Sequence, residues 1–401
     1  MNEPKLRFKA DDGSQFPDWE EKVFGDFVDT HLEKTSDKDT YPLYSLTIES
    51  GVQPKTDRYE REFLVKKEGD NYKIVPPNAF VYNPMNLRFG ALKVNHEKFS
   101  VSVSGYYDVF SLKDDSVLAF WENYLVTPKM LNYYFSIATG SLIEKLRVHY
   151  SQFVKIKKPL PSLPEQQKIA DFLSTIDTVI EKQKETVSAW EERKKGVMQK
   201  LFSQEVRFKA DDGSDFPEWE EKKLKSILKE YKDVSVKDGT YEHVSLTKEG
   251  VVPKSERYER DFLVKDSDKK YRVTHLGDIC YNPANLKFGV ICRNKYGDGI
   301  FSPIYVTFRV VNGVIPEFIE MLVTRQDFIQ YALRYQQGTV YERMSVSPED
   351  LLSIKVCIPC LDEQQKIADC LISLDDVIKK QKATLAAWEE LKKGLLQQMF
   401  V

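Results

Sequence analysis

A chain that repeats itself at a spacing of nearly 200 residues has few ways to fold, because each copy must bury a core of its own. Residues 7–22 read RFKADDGSQFPDWEEK and residues 207–222 read RFKADDGSDFPEWEEK, 14 of 16 being identical. RYEREFLVK at 58–66 returns as RYERDFLVK at 257–265, and YNPMNLRFG at 82–90 returns as YNPANLKFG at 281–289. EQQKIAD at 165–171 returns unchanged at 363–369. The offset drifts only from 200 to 198, so the 401 residues are two copies of one unit, a whole domain with its connector. Phe400-Val401 is the counterpart of Phe202-Ser203, and RFKADDG stands at the opposite end of the sequence. The halves therefore read as a ring opened between residues 401 and 1, a pseudo-two-fold object with neighbouring termini. The expected division is 1–160 and 204–358 for the two globular domains, with helical connectors at 161–203 and 359–401.

The connectors carry the strongest periodicity. In the first, Ile169, Leu173, Ile176, Ile180, Gln183, Val187, Trp190, Lys194, Val197 and Leu201 recur at alternating steps of four and three. Ile367, Leu371, Leu374, Ile378, Gln381, Leu385, Trp388, Lys392, Leu395 and Met399 do the same in the second. A 3.5-residue period is the coiled-coil signature. Each run follows a proline-bearing strip, PLPSLPEQQ or CIPCLDEQQ, with acidic residues near the positive end of the helix. Roughly 36 residues at about 1.5 Å each predict a rod of about 55 Å. Two helices packed separately, each on its own domain, would show the same stripe. The matching polar seam positions, Gln183 with Gln381 and Lys194 with Lys392, favour two equal rods fixed in register, antiparallel in a ring.

The domains between the connectors mix short alternating strands (72–75, 100–103, 305–308) with helical stretches (128–139, 316–337), and Gly, Pro and Asn mark the turns. The fold class is α+β (mixed α/β), with strand order left open. Charge within them is uneven. Residues 55–98 hold 9 basic and 6 acidic residues, and 254–295 hold 10 and 6, against a net −3 for the chain. The basic segment interleaves Arg58, Arg61, Lys66 and Arg88 with Tyr59, Tyr82, Asn83 and Asn86. Its second copy has Arg257, Arg260, Lys265, Lys287, Tyr258, Tyr281, Asn282 and Asn285. Arg and Lys suit phosphates and guanine edges and Asn suits adenine edges, which makes these candidate DNA contacts. A solvated strand–turn surface is the plain alternative. Ser45, Thr47, Ser245 and Thr247 are weaker candidates.

Other chemistries find little support. No run of 18 apolar residues occurs and the start MNEPKLRFKADDG has no apolar core, which argues against membrane-spanning and secreted readings. Five cysteines, all in the second half and without framework spacing, fit a reduced, cytoplasmic setting. Asn83-Pro84-Met85 and Asn282-Pro283-Ala284 lack the second proline and stacking aromatic of an amino-methyltransferase motif, and no glycine-rich cofactor loop or Walker loop is present. Asp18, Glu20 and Glu21 are compressed into one strip, against a nuclease site. Cys357 and Cys360 have the spacing of half a zinc site, yet Pro159 and Ser162 occupy the equivalent positions in the other copy. The five histidines are scattered. The expectation is a chain with no catalytic residues and no metal.

Tandem domains with LPSLPEQQKIADFL and IPCLDEQQKIADCL at their ends, followed by helices closing in EERKKGVMQKLF and EELKKGLLQQMF, closely resemble the specificity subunit of type I restriction-modification enzymes. The resemblance covers essentially the whole chain. It implies two target recognition domains, each reading half of a bipartite DNA site, with the paired helices as a ruler. It implies no active site and no cofactor on this chain. Two modification subunits forming an adenine methyltransferase with S-adenosylmethionine would dock on it, and restriction subunits would add ATP- and Mg-dependent translocation and cleavage. Glu191, Arg193 and Lys195, on the outer helix face, are candidates for that docking. The rival reading is a coiled-coil adaptor joining two protein-binding domains.

Overall fold

The computed structural model describes residues 4–48, 51–55, 72–113, 117–142, 145–237, 239–254, 270–338 and 344–400. It contains two units, Met1–Thr186 with Gln381–Val401, and Val187–Lys380. Each unit takes the first part of one long helix and the last part of the other. These helices, Leu163–Phe202 and Leu361–Met399, have 40 and 39 residues, slightly longer than the seam periodicity alone predicts.

In the first unit the central sheet is antiparallel, in the order Val28–Thr30, Asp108–Leu112, Phe80–Tyr82, Leu92–Val94. A second sheet joins Lys34–Thr35, Tyr72–Val75 and Val101–Val103, beside the hairpin Tyr44–Thr47/Gly51–Pro54. Aromatic side chains from sheet and helices fill the core: Phe24, Phe80, Phe110, Phe120, Trp121, Tyr124 and Phe153 are all essentially inaccessible. Phe400 and Met399 complete that core, Phe400 lying 5.7 Å from the Phe120 ring and 5.4 Å from Tyr124. Leu6 N–H donates to Gln398 C=O at 3.1 Å, so the start of the unit's chain rests on the end of the second helix.

The second unit repeats the plan. Leu228–Tyr231, Val306–Val310, Ile279–Tyr281 and Ile291–Arg293 take the same order with the same antiparallel pairing. Leu201 and Phe202 fill the place that Met399 and Phe400 fill in the first unit. The second sheet here has five strands, because Glu242–Leu246 pairs in parallel with Gly299–Phe301. In the first unit the equivalent link shrinks to one bridge, Leu43 with Ser102. The helix expected over 316–337 breaks at Arg325, whose extended backbone (ψ 140°) separates Pro316–Thr324 from Gln326–Ala332. Arg325 is drawn away by its ion pair with Asp327 and by the Phe202 ring, 4.5 Å from its guanidinium.

Within the first unit Gln183 donates to the backbone C=O of Gln381 at 3.0 Å and to its Oε1 at 2.7 Å, and Lys392 meets Asp177 at 2.6 Å. Moving forward on one helix, from 177 to 183, moves backward on the other, from 392 to 381. Within the second unit Lys194 meets Asp375 at 2.6 Å, the repeat of the Lys392 pair. The two long helices are therefore packed together and antiparallel. The seam lysines each reach an aspartate of the opposite helix.

The most repeated residues hold the long helices to their domains. Arg7 places Nε 3.0 Å from Glu165 Oε1 and Nη2 2.8 Å from Oε2, and Trp19 Nε1–H donates to Oε2 at 3.2 Å. Arg207, Trp219 and Glu363 repeat this at 3.1, 2.8 and 3.1 Å. Both carboxylates are fully buried. Lys168 caps the Lys9 carbonyl at 2.7 Å, and Lys366 caps that of Lys209 at the same distance. The repeated RFKADDG, Trp and EQQKIAD blocks are thus one clamp per unit. The Trp19 strip, weighed above as nuclease-like, belongs to it.

Candidate nucleic-acid interface

The repeated Tyr-Asn-Pro block leaves the central sheet at its third strand. Tyr82 and Tyr281, grouped above with the candidate DNA contacts, are wholly buried there. Their hydroxyls donate to the carbonyls of Val148 and Val346 at 3.5 and 3.1 Å, and burial holds both phenols far above their ordinary pKa. They are scaffold. The strand then turns: Asn83 Oδ1 accepts from Met85 N–H at 3.0 Å, and Asn282 Oδ1 accepts from Ala284 N–H at 3.1 Å. Pro84 and Pro283 carbonyls accept the N–H of Val148 and Val346. A 3₁₀ turn follows, Leu87–Phe89 in one unit and Pro283–Phe288 in the other, with Leu87 and Leu286 buried beneath it. It closes at Gly90 (φ 90°) and Gly289 (φ 77°), a left-handed conformation that glycine adopts without a Cβ clash.

One of the turn's side chains remains outside in both copies. Phe89 and Phe288 are each 54% exposed, large for an aromatic with no role in the core. The Arg88 guanidinium lies 4.8 Å from the Phe89 ring and 5.7 Å from that of Phe135, itself exposed. In the second unit Lys287 and Lys248 ammonium groups lie 5.0 and 5.9 Å from Phe288. A cation held on an aromatic face by its quadrupole keeps its charge available to an anion, while the ring offers an apolar edge. Lys145 and Arg147 are exposed on the segment leading to Val148 in the first unit. The phenylalanines went unweighed in the sequence, although both stand inside the repeated block.

The remaining candidates separate by position. Asn86 is exposed, Asn285 half-buried, Arg88 half-buried and Lys287 exposed, all on the turn. Asn83 is half-buried and Asn282 is 5% exposed, each with its carbonyl oxygen used by the turn itself. Thr47 and Thr247 hydroxyls donate within their own hairpins, to Gly51 and Gly250. Arg58, Tyr59, Arg61, Lys66, Arg257, Tyr258, Arg260 and Lys265 lie outside the described residues. Among the described residues no three His, Cys, Asp or Glu side chains are placed to hold a metal ion, and no helix is long and apolar enough to cross a membrane.

A family model, the type I restriction modification DNA specificity domain, matches residues 18–188, the first copy of the repeat and the frame of its turn. Over that stretch the chain is similar to the type I restriction-modification specificity domain. Among relatives of that family, the specificity subunit of the type I restriction enzyme MjaVIII from Methanocaldococcus jannaschii is 27% identical over 275 residues. That match covers 61% of each chain, so it spans less than two thirds of the relative's length. In fold, the crystal structure of the S subunit from M. genitalium matches all of this chain and 99% of its own, with a TM-score of 0.53 at 14% identity. A chain from a structural study of complex assembly and conformational transition in a type I system matches 96% of this chain and 98% of its own, with a TM-score of 0.55 at 14% identity. The likeness to these two is one of fold: two β-rich domains and two long packed helices.

Proposed function

We propose that the chain is the DNA-reading subunit of a type I restriction-modification complex, each globular domain contacting one half of a bipartite site. The observation that carries this is the turn at Asn86-Leu87-Arg88-Phe89 and its repeat at Asn285-Leu286-Lys287-Phe288. Each copy presents a cation and an exposed aromatic on a rigid, buried frame. Arg and Lys there meet phosphates or guanine edges, Asn86 and Asn285 reach base edges, and the phenylalanines pack on sugar or base. The basic strips at 58–66 and 257–265, outside the described residues, add candidate DNA contacts by sequence alone. The domains run over 1–160 and 204–358, and the helices at 161–203 and 359–401 set the spacing between half-sites. About one turn of B-DNA, near 34 Å, falls within what such helices span.

Catalysis belongs to partners in this reading. Modification subunits bring S-adenosylmethionine to adenine, and restriction subunits bring ATP and Mg; this chain supplies the address. Because both copies keep Asn-Leu-basic-Phe-Gly, the half-sites share features read as reverse complements. The test is a gel shift of the chain with its modification subunit on its cognate DNA. Arg88→Ala is expected to weaken contact with the first half-site alone, and Lys287→Ala with the second, each by about tenfold. Equal losses on DNA of every sequence would assign these side chains to phosphate contact. No loss in either would remove the turn from the interface and leave the adaptor reading.

A further inference from the structure

In the central sheet of the first unit Asp108–Leu112 runs antiparallel to Phe80–Tyr82, with Asp108 opposite Tyr82. The chain therefore enters the one strand at the end where it leaves the other for the turn at 83–90. The second unit has the same register, with Val306 opposite Tyr281. Two turns of each unit thus stand at one end of its sheet. One carries Phe89 or Phe288; the other is a short turn, at 104–107 or 302–305, that feeds the neighbouring strand.

The two short turns are built alike. Tyr107 N–H donates to the Ser104 carbonyl and Tyr305 N–H to the Ser302 carbonyl, each at 3.0 Å. Tyr107 and Tyr305 each pack against a buried cluster of their own unit, the Tyr305 ring lying 5.1 Å from Phe301. The residue before that anchor is left in solvent in both copies: Tyr106 is 85% exposed and Ile304 59%. A single exposed apolar side chain is ordinary on a surface. One that recurs at the same place in two units, on an anchored turn at the sheet end that also carries a cation and an exposed ring, is not explained by packing. Around it the repeat is conservative: Ser104 matches Ser302, Tyr107 matches Tyr305, Phe89 matches Phe288, and Arg88 keeps its charge as Lys287. Position 106 and its counterpart 304 change in chemistry, from a ring with a hydroxyl to an aliphatic fork.

We infer that Tyr106 and Ile304 are specificity-determining side chains of the two domains, and that they make the two half-sites differ. The inference rests on the DNA reading proposed above. Tyr106 meets a base edge through a hydroxyl that can both donate and accept. Ile304 has no hydrogen-bonding group and selects by apolar contact, for which the thymine 5-methyl is the match in the major groove. The shared cation and phenylalanine supply what the half-sites have in common, and this one position gives each half a base preference of its own.

Adenine-methylation mapping with the full chain and its modification subunit reads both half-sites at once. Tyr106→Ile is expected to change the base preference at one position of the first half and leave the second half as it was. Ile304→Tyr should do the converse. Tyr106→Phe keeps the ring and strips the hydroxyl, so it should relax that same position of the first half. A second arm needs no variant to fold: thymines of the second half are replaced one at a time by uracil, which removes only the methyl group. A gel shift of the parent chain with its modification subunit should weaken about fourfold at one such position, and Ile304→Ala should be indifferent to the change there. Unchanged preference in both halves, or no uracil effect that depends on Ile304, would overturn the inference. If Arg88→Ala alters the first half while Tyr106→Ile does not, the DNA reading stands and these two residues lose their role. A motif indifferent to deletion of the chain would instead remove the DNA reading and this inference together.

Discussion

Glu165 is a carboxylate with no solvent exposure, held by a guanidinium and an indole N–H, and Glu363 repeats it. Taking a charge out of water costs several kcal/mol unless a partner repays it. Arg7→Ala is therefore expected to destabilise the first unit by about 3–5 kcal/mol, seen as an earlier urea transition, and Arg207→Ala to do the same for the second. Glu165→Gln should cost less, because it removes the charge along with its partner's task. Asp278, unique to the second unit, is also buried at 3% exposure, against the Tyr231 hydroxyl and the His275 N–H. Burial, opposed by these hydrogen bonds, raises its pKa. Its folded pKa then lies above the unfolded one, so its contribution is greatest below about pH 4 and falls as pH rises through the folded value. Unfolding of Asp278→Asn, followed across that range, should show a flatter pH dependence than the parent chain. At this scale the sequence marked the right letters without their purpose. Arg7, Trp19 and Glu165 stand in three blocks whose contact only the fold creates, whereas Tyr82 and Asn282 stood among candidate contacts and are frame.

The long helices were the most legible elements, because a 3.5-residue stripe is local information. Their partner in the core was not. Met399 and Phe400 belong to the first unit's core although about 240 residues separate them from that unit's last strand, Lys157–Leu160, and periodicity says nothing of such a return. Phe400→Ala is expected to cost about 3–5 kcal/mol in the first unit, measured by denaturant unfolding. At the seam, Gln183→Leu alone strips a donor from Gln381 and should cost about 1–3 kcal/mol. Adding Gln381→Leu should recover most of it, an outcome read by a double-mutant cycle. The Lys392–Asp177 and Lys194–Asp375 pairs are partly exposed, so each should couple by less than about 1 kcal/mol and fade in salt. The break at Arg325 escaped the sequence because no Pro or Gly marks it; a local ion pair with Asp327 and the distant Phe202 ring accompany it.

For the molecule as a whole, the repeat is the organising fact. It foretold two domains of one design, joined by two like helices, and the structure has both. The strand order within the domains was not legible, since short strands of two to five residues carry too little pattern to specify their neighbours. Net charge misled in the other direction: −3 overall conceals basic segments and a cation set on an aromatic ring in each unit's turn. The account stands on the claim that two such units read two halves of one DNA site. Adenine-methylation mapping of genomic DNA, from cells with the chain and its modification subunit and from cells with the chain deleted, tests it most directly. The predicted result is a methylated motif of two short sequences at fixed separation, lost on deletion of this chain and altered in one half only by Arg88→Ala or Lys287→Ala. A motif unchanged by the deletion, or one continuous sequence without a spacer, would contradict it.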